Sequence, residues 1–472
     1  MWRRLTNVLV VLVCAGLANG DHSAVAQEKT YKLALISDIH FNPFEPASLS
    51  NSLAARPVED WPEIFAAIEN QEMSPWGDDT NFALLASSMQ AFAQNAAGTE
   101  VTFLLGDILA HKFEEKATAA LASSTTEEEL RELAQNTAIF VGELLAAHAP
   151  DRPIIVALGN NDSDCGDYQI TPEGGFLSGT LEMVRKLVGP DLLTPDFDRT
   201  YRAGGYYLAQ HPQLPDTKII VLNDVLWSEK YRDACGVGGE AAGHDMLNWL
   251  REQLEKQEAA GGKVWLVQHI PWGIDAFSTN RSRETECTAK VVPFLREPFS
   301  SEFLKLLGNF SDTISTSIAG HTHMDDYRLL SGAGSVPLIA QKIVPAISPI
   351  YHQNPGFSVA SFTAGEGAIV DYSTYRLGNL ENASLSVPGE WQLEYTFSEA
   401  YGFSNYSDRT VAELITAIGR GGDAETLYRR YFQVGHGALP SQDMPAYLCA
   451  MKALEPDSYV RCYCDSEASS PN

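Results

Sequence analysis

Histidines and carboxylates recur in this sequence directly after short apolar runs, the kind of segment that forms a buried strand. The fragment GDILAH places Asp107 and His111 after the run VTFLL, and LISDIHF places Asp38 and His40 after another. Three further segments carry Asn160, Asn161 and Asp162 in ALGNND, His269 in LVQHIPWG, and His321 with His323 in SIAGHTHMD. Histidine, aspartate and asparagine are side chains that bind divalent metals in proteins.

Each of these motifs alone has a structural explanation, since an Asp that follows a Gly commonly forms a turn. Together they favour one site, because the carboxyl ends of the strands in an open α/β sheet border the same crevice. Asp38 lies two residues before His40, and His321 lies two before His323. In an extended segment such pairs point to the same side. The carboxylate of Asp107 has two oxygens and can bridge two cations.

The mixture of ligands favours two first-row metal ions, zinc first, with manganese or iron as alternatives. Four imidazoles with few carboxylates suit zinc better than calcium or magnesium, which prefer oxygen ligands. Two such ions, about 3.5 to 4 Å apart, clamp a phosphoryl group and activate a bridging water for in-line attack. We therefore expect a metal-dependent phosphoester hydrolase.

Six apolar runs of strand length alternate with helical patterns, which predicts an α/β fold. The runs begin at Tyr31, Val101, Pro153, Lys218, Lys263 and Thr313. Thr126 and Glu129 have the spacing of a capping box at the start of one helix. A second helix, around MLNWLREQLEKQEAAGG, should end at Gly261 and Gly262.

The pattern becomes helical after about residue 379. Ser407 and Asp423 are predicted N-caps, and a third helix is predicted over MPAYLCAMKAL. We therefore predict a catalytic domain over residues 27–378 and a small helical region over residues 379–472 that packs on it.

The N-terminus has the features of a secretory signal peptide. Arg3 and Arg4 precede an apolar run over residues 8–17, and Ala24 and Ala26 have the spacing of a cleavage site. No later run approaches the roughly 20 apolar residues of a membrane-spanning helix. We expect cleavage after Ala26 and an extracytoplasmic protein, secreted or periplasmic (lysosomal or extracellular in a eukaryote), without stable membrane insertion.

Cysteine content and charge agree with export. Six cysteines follow the signal peptide, and an even number in an oxidising compartment predicts disulfides rather than thiol chemistry. The pairing stays open, except that Cys449 is expected to bind Cys462 or Cys464. The net charge of −28 disfavours binding of nucleic acids and other polyanions. The sequence does not indicate an oligomeric state.

The ordered motifs resemble the calcineurin-like metallophosphoesterase superfamily, whose signature runs Asp-x-His, Gly-Asp, Gly-Asn-His, His and Gly-His-x-His. GDILAH is similar to the acid sphingomyelinase branch, as are HIPWG, NPGFSV and WQLEYTFSEAYGFSNYS. This resemblance extends from about Tyr31 to Cys464. It implies a four-layer αββα sandwich with a small helical C-terminal region, and phosphodiesterase activity.

The resemblance also implies a role for each motif residue. One metal would be held by Asp38, His40, Asp107 and His323. The second metal would be held by Asp107, Asn160, His269 and His321. His111 would protonate the leaving oxygen or bind the phosphate, or alternatively only orient Asp107.

Asn161 departs from the family pattern, which usually has a histidine general acid at that position. An amide is a poor proton donor, so His111 or a metal-bound water must do more, or the leaving group must be better. The neighbouring Asp162 is either a turn former or a participant.

The substrate is less well defined by the sequence. The first predicted strand closely follows the predicted cleavage site, without the saposin-like domain of acid sphingomyelinase. We therefore expect a small soluble phosphoester such as a nucleotide. The GNND variant resembles polyphosphatases, which makes polyphosphate the first alternative and sphingomyelin the second. A metal-binding exoprotein scaffold without activity is the non-enzyme alternative.

Other aromatic and histidine residues have a structural explanation first. Trp227 and Trp272 lie near strand ends and either join the core or stack on a base or a lipid. His352 is a candidate for lining the pocket. The remaining histidines have no partner at a ligand spacing: His148, His211, His244 and His436.

Overall fold

A computed structural model describes residues 29–121, 125–232 and 238–468 of the chain. The predicted signal peptide, residues 1–26, lies outside these residues, as does Cys235. Among the described helices, none combines the length and the apolar character needed to cross a bilayer.

The described chain forms two six-stranded sheets, with the orders β12-β11-β10-β1-β2-β3 and β4-β5-β6-β7-β9-β8. The strands are β1 Thr30–Ile36, β2 Val101–Leu105, β3 Ile154–Ala157, β4 Tyr207–Gln210, β5 Thr217–Val221, β6 Lys263–Val267, β7 Ile314–Ala319, β8 Asp326–Ser331, β9 Pro337–Ile343, β10 Gly356–Thr363, β11 Ile369–Leu377 and β12 Trp391–Thr396. Strands β1, β2 and β3 are parallel, and so are β5, β6, β7 and β9. All five predicted ligand segments therefore leave parallel strands at their carboxyl ends.

The helices connect these strands and cover the sheets. They are α1 Ser50–Ala55, α2 Trp61–Ala66, α3 Phe82–Asn95, α4 Phe113–Ala120, α5 Glu127–His148, α6 Gly175–Val188, α7 Phe197–Gly204, α8 Glu240–Ala259, α9 Ala276–Arg281, α10 Cys287–Lys290, α11 Phe299–Asn309, α12 Phe397–Tyr401, α13 Asp408–Gly419, α14 Asp423–Phe432, α15 Met444–Ala450 and α16 Pro456–Ala468. Helix α6 packs on β3, α8 on β6 and α13 on β9.

The two sheets pack face to face through aromatic side chains. Trp265 on β6 lies 6.0 Å from Phe103 on β2 and 5.3 Å from Phe362 on β10, measured between ring centroids. All three side chains are fully buried. Every residue of β2 is buried, as expected for a strand covered on both faces. The predicted αββα architecture is therefore confirmed.

The predicted strands and most predicted caps are confirmed. Thr126 with Glu129 and Ser407 with Thr410 form capping boxes. Asp423 is not an N-cap, because Gly422 occupies that position and Asp423 is the first helical residue, where its carboxylate still favours the helix dipole. The third C-terminal helix is shorter than predicted, since α15 ends at Ala450.

The C-terminal region also contains a strand that its polar sequence concealed. Strand β12 pairs antiparallel with β11 at the edge of the first sheet. Most of its side chains are exposed or half-buried, so its sequence lacks an apolar run. The first sheet thus continues past residue 379, and the domain boundary proposed there stays a prediction.

Disulfides tie the C-terminal segment together. Cys449 binds Cys462, one of the two predicted pairings, and Cys287 binds Cys464. Cys165 is also disulfide-bonded. The second bridge closes a loop of 177 residues and links α16 to the segment after β6.

Candidate metal centre

Backbone hydrogen bonds join the loop after β1 to the loop after β2, and the loop after β6 to the loop after β7. Asp38 N donates to Gly106 O (3.0 Å) and His40 N donates to Asp107 O (2.9 Å). Gly320 N donates to His269 O (2.9 Å). These bonds fix the relative positions of the loops that carry the predicted ligands.

The backbone of these loops is left-handed at the predicted ligands. Positive φ values occur at Asp38 (49°), His40 (45°), Asp107 (52°), His321 (71°) and His323 (65°). The explanation that Asp38 and His40 share a side because the segment is extended is therefore wrong, and the same holds for the second pair. Non-glycine residues at positive φ are uncommon and concentrate at functional sites. Tight left-handed turns aim these side chains inward.

The first predicted ligand set converges on one buried point. His40 Nε2 lies 3.1 Å from His323 Nε2 and 3.3 Å from Asp107 Oδ2. Asp38 Oδ1 lies 3.4 Å from His323 Nε2 and 3.9 Å from His40 Nε2. This oxygen is buried and has no hydrogen-bond partner among the described residues. An unpaired buried carboxylate oxygen among imidazoles fits a cation ligand.

The second predicted set converges in the same way. His269 Nε2 lies 3.2 Å from Asp107 Oδ2, 3.1 Å from Asn160 Oδ1 and 3.2 Å from His321 Nδ1. The Asn160 amide nitrogen donates to Asp167 Oδ1 (2.6 Å), which turns the amide oxygen toward His269. The amide oxygen of Asn160, rather than its amide nitrogen, therefore faces the histidine nitrogens of this set.

Asp107 lies between the two sets. Its Oδ2 is within 3.3 Å of both His40 Nε2 and His269 Nε2. Gly106 before it has a φ of +90°, and a Cβ at Gly159 would overlap the Asp107 carboxylate. The glycines of the two motifs therefore allow the close approach of the β2 and β3 loops. The arrangement can hold divalent cations, and the Asp107 carboxylate lies within reach of both ligand sets.

Backbone carbonyls orient two of the histidines. His40 Nδ1 donates to Leu109 O (2.9 Å) and His269 Nδ1 donates to Leu105 O (2.7 Å). These bonds leave both Nε2 atoms free to act as ligands, the arrangement usual around metal-binding histidines.

The electrostatic field of the cluster favours positive charge. Burial lowers the pKa of His40, but Asp107 and Asp38 outweigh it and raise this pKa to about 9. In the same way Asp107 outweighs burial at His269 and raises its pKa to about 10. Burial opposes ionisation of Asp38, yet His323 and His40 hold its pKa at about 2. A proton or a metal ion is therefore stabilised here.

Burial favours the neutral form of His321 and His323, which is the form that binds metals. Burial lowers the pKa of both groups, to about 3 for His323. A neighbouring imidazole contributes in each case, His269 at His321 and His40 at His323.

His111 lies beside the first ligand set and is held by an aspartate that the sequence did not reveal. Its ring stacks on His40 with centroids 3.9 Å apart. His111 Nδ1 is 2.8 Å from Asp79 Oδ1, and its backbone N donates to Asp79 Oδ2 (3.0 Å). Asp79 also contacts Lys116, and its pKa is held far below the ordinary value: burial opposes ionisation, but the His111 hydrogen bond and His40 prevail. The imidazole is positioned by Asp79.

Asn161 and Asp162 both support the β2 loop. Asn161 donates from its backbone N to Asp107 Oδ1 (2.8 Å) and from Nδ2 to Asp107 Oδ2 (3.1 Å). Asp162 accepts from Ile108 N (2.7 Å) and Gly159 N (2.8 Å). Asp162 therefore fits the structural alternative of a turn former, and Asn161 orients the bridging carboxylate.

Two tyrosines near the cluster also escaped the sequence analysis. The Tyr351 ring lies 4.7 Å from the His323 ring, and the Tyr168 hydroxyl lies 3.4 Å from His321 Nε2. Tyr351 stands next to His352, the residue that the sequence suggested instead. No sequence motif marks these two tyrosines, and only their distance from the predicted ligands distinguishes them from other tyrosines in the chain.

Trp227 and Trp272 belong to the core. Both are fully buried, and their Nε1 atoms donate to Gly243 O (2.9 Å) and Gln268 Oε1 (3.0 Å). They are therefore unavailable for stacking on a substrate.

Comparison with known proteins agrees with this geometry. Residues 31–325 match the family described as calcineurin-like phosphoesterase. Acid sphingomyelinase-like phosphodiesterase 3b of Homo sapiens is 24% identical over 90% of this chain and 89% of its own length. A cyclic GMP-AMP phosphodiesterase of Rattus norvegicus is 23% identical over 90% of each chain. Sphingomyelinase phosphodiesterase C of Dictyostelium discoideum is 26% identical over 72% of this chain and 71% of its own. The chain thus belongs to the calcineurin-like phosphoesterase family and is a phosphoric ester hydrolase.

Proposed function

We propose that this chain is an extracytoplasmic two-metal phosphodiesterase that hydrolyses phosphodiester or phosphoanhydride bonds of small, nucleotide-like substrates. The observation that carries the proposal is the position of Asp107 Oδ2, within 3.3 Å of a histidine from each ligand set. The first ion would be bound by Asp38, His40, Asp107 and His323. The second ion would be bound by Asp107, Asn160, His269 and His321.

The ions, zinc in this proposal, would supply the charge that stabilises a phosphoryl group and the acidity that activates water. The chain's own residues then set the geometry. Asn161 holds Asp107 in its bridging orientation through two hydrogen bonds. His111, held by Asp79 at the edge of the cluster, is the proposed proton donor to the leaving oxygen.

Export is supported by the disulfides, which persist in oxidising compartments and are rare elsewhere. The net charge of −28 supports a small substrate over a long polyanion, since the surface field repels the latter. The relatives include one named for a cyclic dinucleotide and one named for sphingomyelin. Polyphosphate and sphingomyelin therefore remain the alternatives to a nucleotide.

The test combines metal analysis with a substrate panel. The purified chain should contain two zinc ions per molecule and lose activity when a chelator removes them. The panel comprises bis-p-nitrophenyl phosphate, a nucleotide diester, polyphosphate and sphingomyelin. We expect bis-p-nitrophenyl phosphate and the nucleotide diester to be hydrolysed faster than polyphosphate and sphingomyelin. Two bound ions without hydrolysis of any substrate would contradict the proposal and favour a metal-binding scaffold.

A further inference from the structure

A narrow cleft of about 130 Å³ opens beside His321, one of the proposed ligands of the second ion. Phe277 and Tyr351 stand at its mouth, 37% and 38% exposed, with ring centroids 5.7 Å apart. Phe294 lies deeper in the cleft and contacts the His321 ring at 5.5 Å. A substrate that places its phosphate at the metals can therefore place an adjoining group against these rings.

A residue that lines the cleft carries a buried hydrogen-bond donor without an acceptor. Arg328 lines the cleft and is only 1% exposed. Its Nη1 donates to Asp326 Oδ2 (2.6 Å) and to Tyr327 O (2.8 Å). Its Nε is buried and finds no acceptor within the described part of the chain. Leaving a buried donor unpaired is costly, so an acceptor on a ligand would be favoured here.

The charges around the cleft are already neutralised. Asp326 pairs with Arg328 and also accepts from the Tyr428 hydroxyl (2.8 Å). At the rim, Lys230 lies 3.4 Å from Asp275. The cleft therefore suits an uncharged group with an acceptor on its edge.

We propose that this cleft binds a single-ring heterocycle of the substrate, such as a pyrimidine base. The ring would lie against the aromatic walls, and a ring carbonyl oxygen would accept from Arg328 Nε. The volume agrees, since a cavity of about 150 Å³ holds one benzene molecule. The inference rests on the proposed nucleotide-like substrate and specifies which base it carries.

Two other occupants fit less well. A hydrocarbon chain would leave Arg328 Nε unpaired. A quaternary ammonium group such as choline needs open aromatic faces and no nearby cations. The Arg281 guanidinium lies over one face of the Phe277 ring, 3.5 Å from its centroid, and would repel a second cation there, whereas a neutral ring can still lie against the aromatic walls.

The test uses three p-nitrophenyl diesters that release the same leaving group, with methyl, phenyl or 5′-thymidyl as the other substituent. For the metal-loaded enzyme, kcat/KM should be about tenfold or more higher for the thymidyl than for the methyl ester, the scale of one stacked base. Phe277→Ala should lower this ratio about tenfold. Leu393→Ala, at an exposed apolar residue of β12, is the matched control and should leave both rates unchanged.

Arg328→Lys tests the hydrogen bond and keeps the charge that pairs with Asp326. It should reduce the advantage of the thymidyl over the phenyl ester, with thermal unfolding as the check that the chain folds. Equal kcat/KM for thymidyl and methyl esters, or an unchanged ratio in Phe277→Ala, would overturn this inference and leave the phosphodiesterase intact. Faster hydrolysis of p-nitrophenylphosphorylcholine than of the thymidyl ester would also overturn it. Failure to hydrolyse any ester would instead refute the proposed function.

Discussion

Two groups of buried carboxylates differ in whether each carboxylate has a cationic side chain as its partner. The metal-ligand cluster ends at His323, and a second group, which we name the paired network, begins at Asp325. Asp325 contacts Lys342 Nζ and accepts from Thr374 Oγ1 (2.7 Å), and both partners are buried. In the network every carboxylate has a cation from the same chain, as Asp326 has Arg328.

The ligand cluster lacks such pairing. Within the described chain, Asp38 and Asp107 have no lysine or arginine partner, and their side-chain neighbours are histidines, Ser37 and Asn161. Asp38 Oδ1 has no hydrogen-bond partner among the described residues. A buried charge is costly unless it is paired, so the charges of the network balance within the folded chain, whereas the carboxylates of the cluster would be balanced by added cations. Buried charge alone therefore does not identify the functional site. The candidate site is identified by carboxylates and histidines that converge without a lysine or arginine partner.

The largest effect is expected for Asp107→Asn. The amide cannot bridge two cations as the carboxylate can, so phosphodiesterase activity should fall by about 1,000-fold or more. Bound metal should also decrease, measured by elemental analysis of the purified variant. The fold should survive, as shown by an unchanged circular dichroism spectrum. Near-full activity with two metals still bound would show that the Asp107 carboxylate is not needed to bridge them.

The second largest effect is expected for His111→Ala. Loss of a general acid costs a factor of about 100 to 10,000, and most when the leaving alkoxide is poor. Hydrolysis of an alkyl diester should therefore collapse, and hydrolysis of an aryl ester with a good leaving group should fall much less. The ratio of the two kcat values measures this difference. Asp79→Asn should shift the ratio in the same direction by a smaller factor, because Asp79 acts through His111.

Restoring a histidine provides the control. Asn161→His in the His111→Ala background should recover part of the alkyl activity, since the family usually has its acid at that position. Equal losses on both esters together with reduced metal content would instead show that His111 supports the ligands.

The paired network should respond in stability rather than in chemistry. Lys342→Met leaves the buried Asp325 without its cation and should destabilise the fold by about 3 to 5 kcal/mol in urea unfolding. The double variant Lys342→Met/Asp325→Leu should recover much of that loss, because no buried charge remains. If the single variant is as stable as the parent chain, the pairing of Lys342 with Asp325 does not stabilise the fold.

The smallest effect concerns a histidine outside both groups. His211 is buried against Trp265, accepts from Gln213 N and Leu214 N, and burial lowers its pKa to about 3. The unfolded chain binds this proton below about pH 6.5 and the folded chain does not. Stability is therefore fully present above pH 6.5 and falls as the pH drops toward 3, by up to about 1.4 kcal/mol per pH unit.

His211→Asn keeps an acceptor for the two backbone donors and removes the titration. The variant should lose less stability than the parent between pH 6.5 and pH 4 in urea unfolding. Identical pH profiles would show that His211 takes up a proton in the folded chain as readily as in the unfolded chain. That result would contradict the lowered pKa of His211.

The αββα class followed from the resemblance of the motifs to a known family. The sequence by itself determined the six core strands and the list of residues that meet at the strand ends. It could do so because apolar runs specify buried parallel strands, and parallel strands bring their carboxyl ends to one edge. It could not show how Asp38 and His40 point to the same place, since that depends on left-handed turns rather than on alternation. Strand β12 was hidden because an edge strand needs little apolar sequence.

Only the tertiary structure decided the partners that come from distant segments. Asp79 reaches His111 from a turn before α3, Tyr351 reaches His323 from the loop before β10, and Arg328 ends in the cleft from β8. No local pattern encodes these contacts, because each side chain has an ordinary sequence context. Their chemistry follows from packing, which removes water and sets the few ångströms between groups that determine charge and hydrogen bonding.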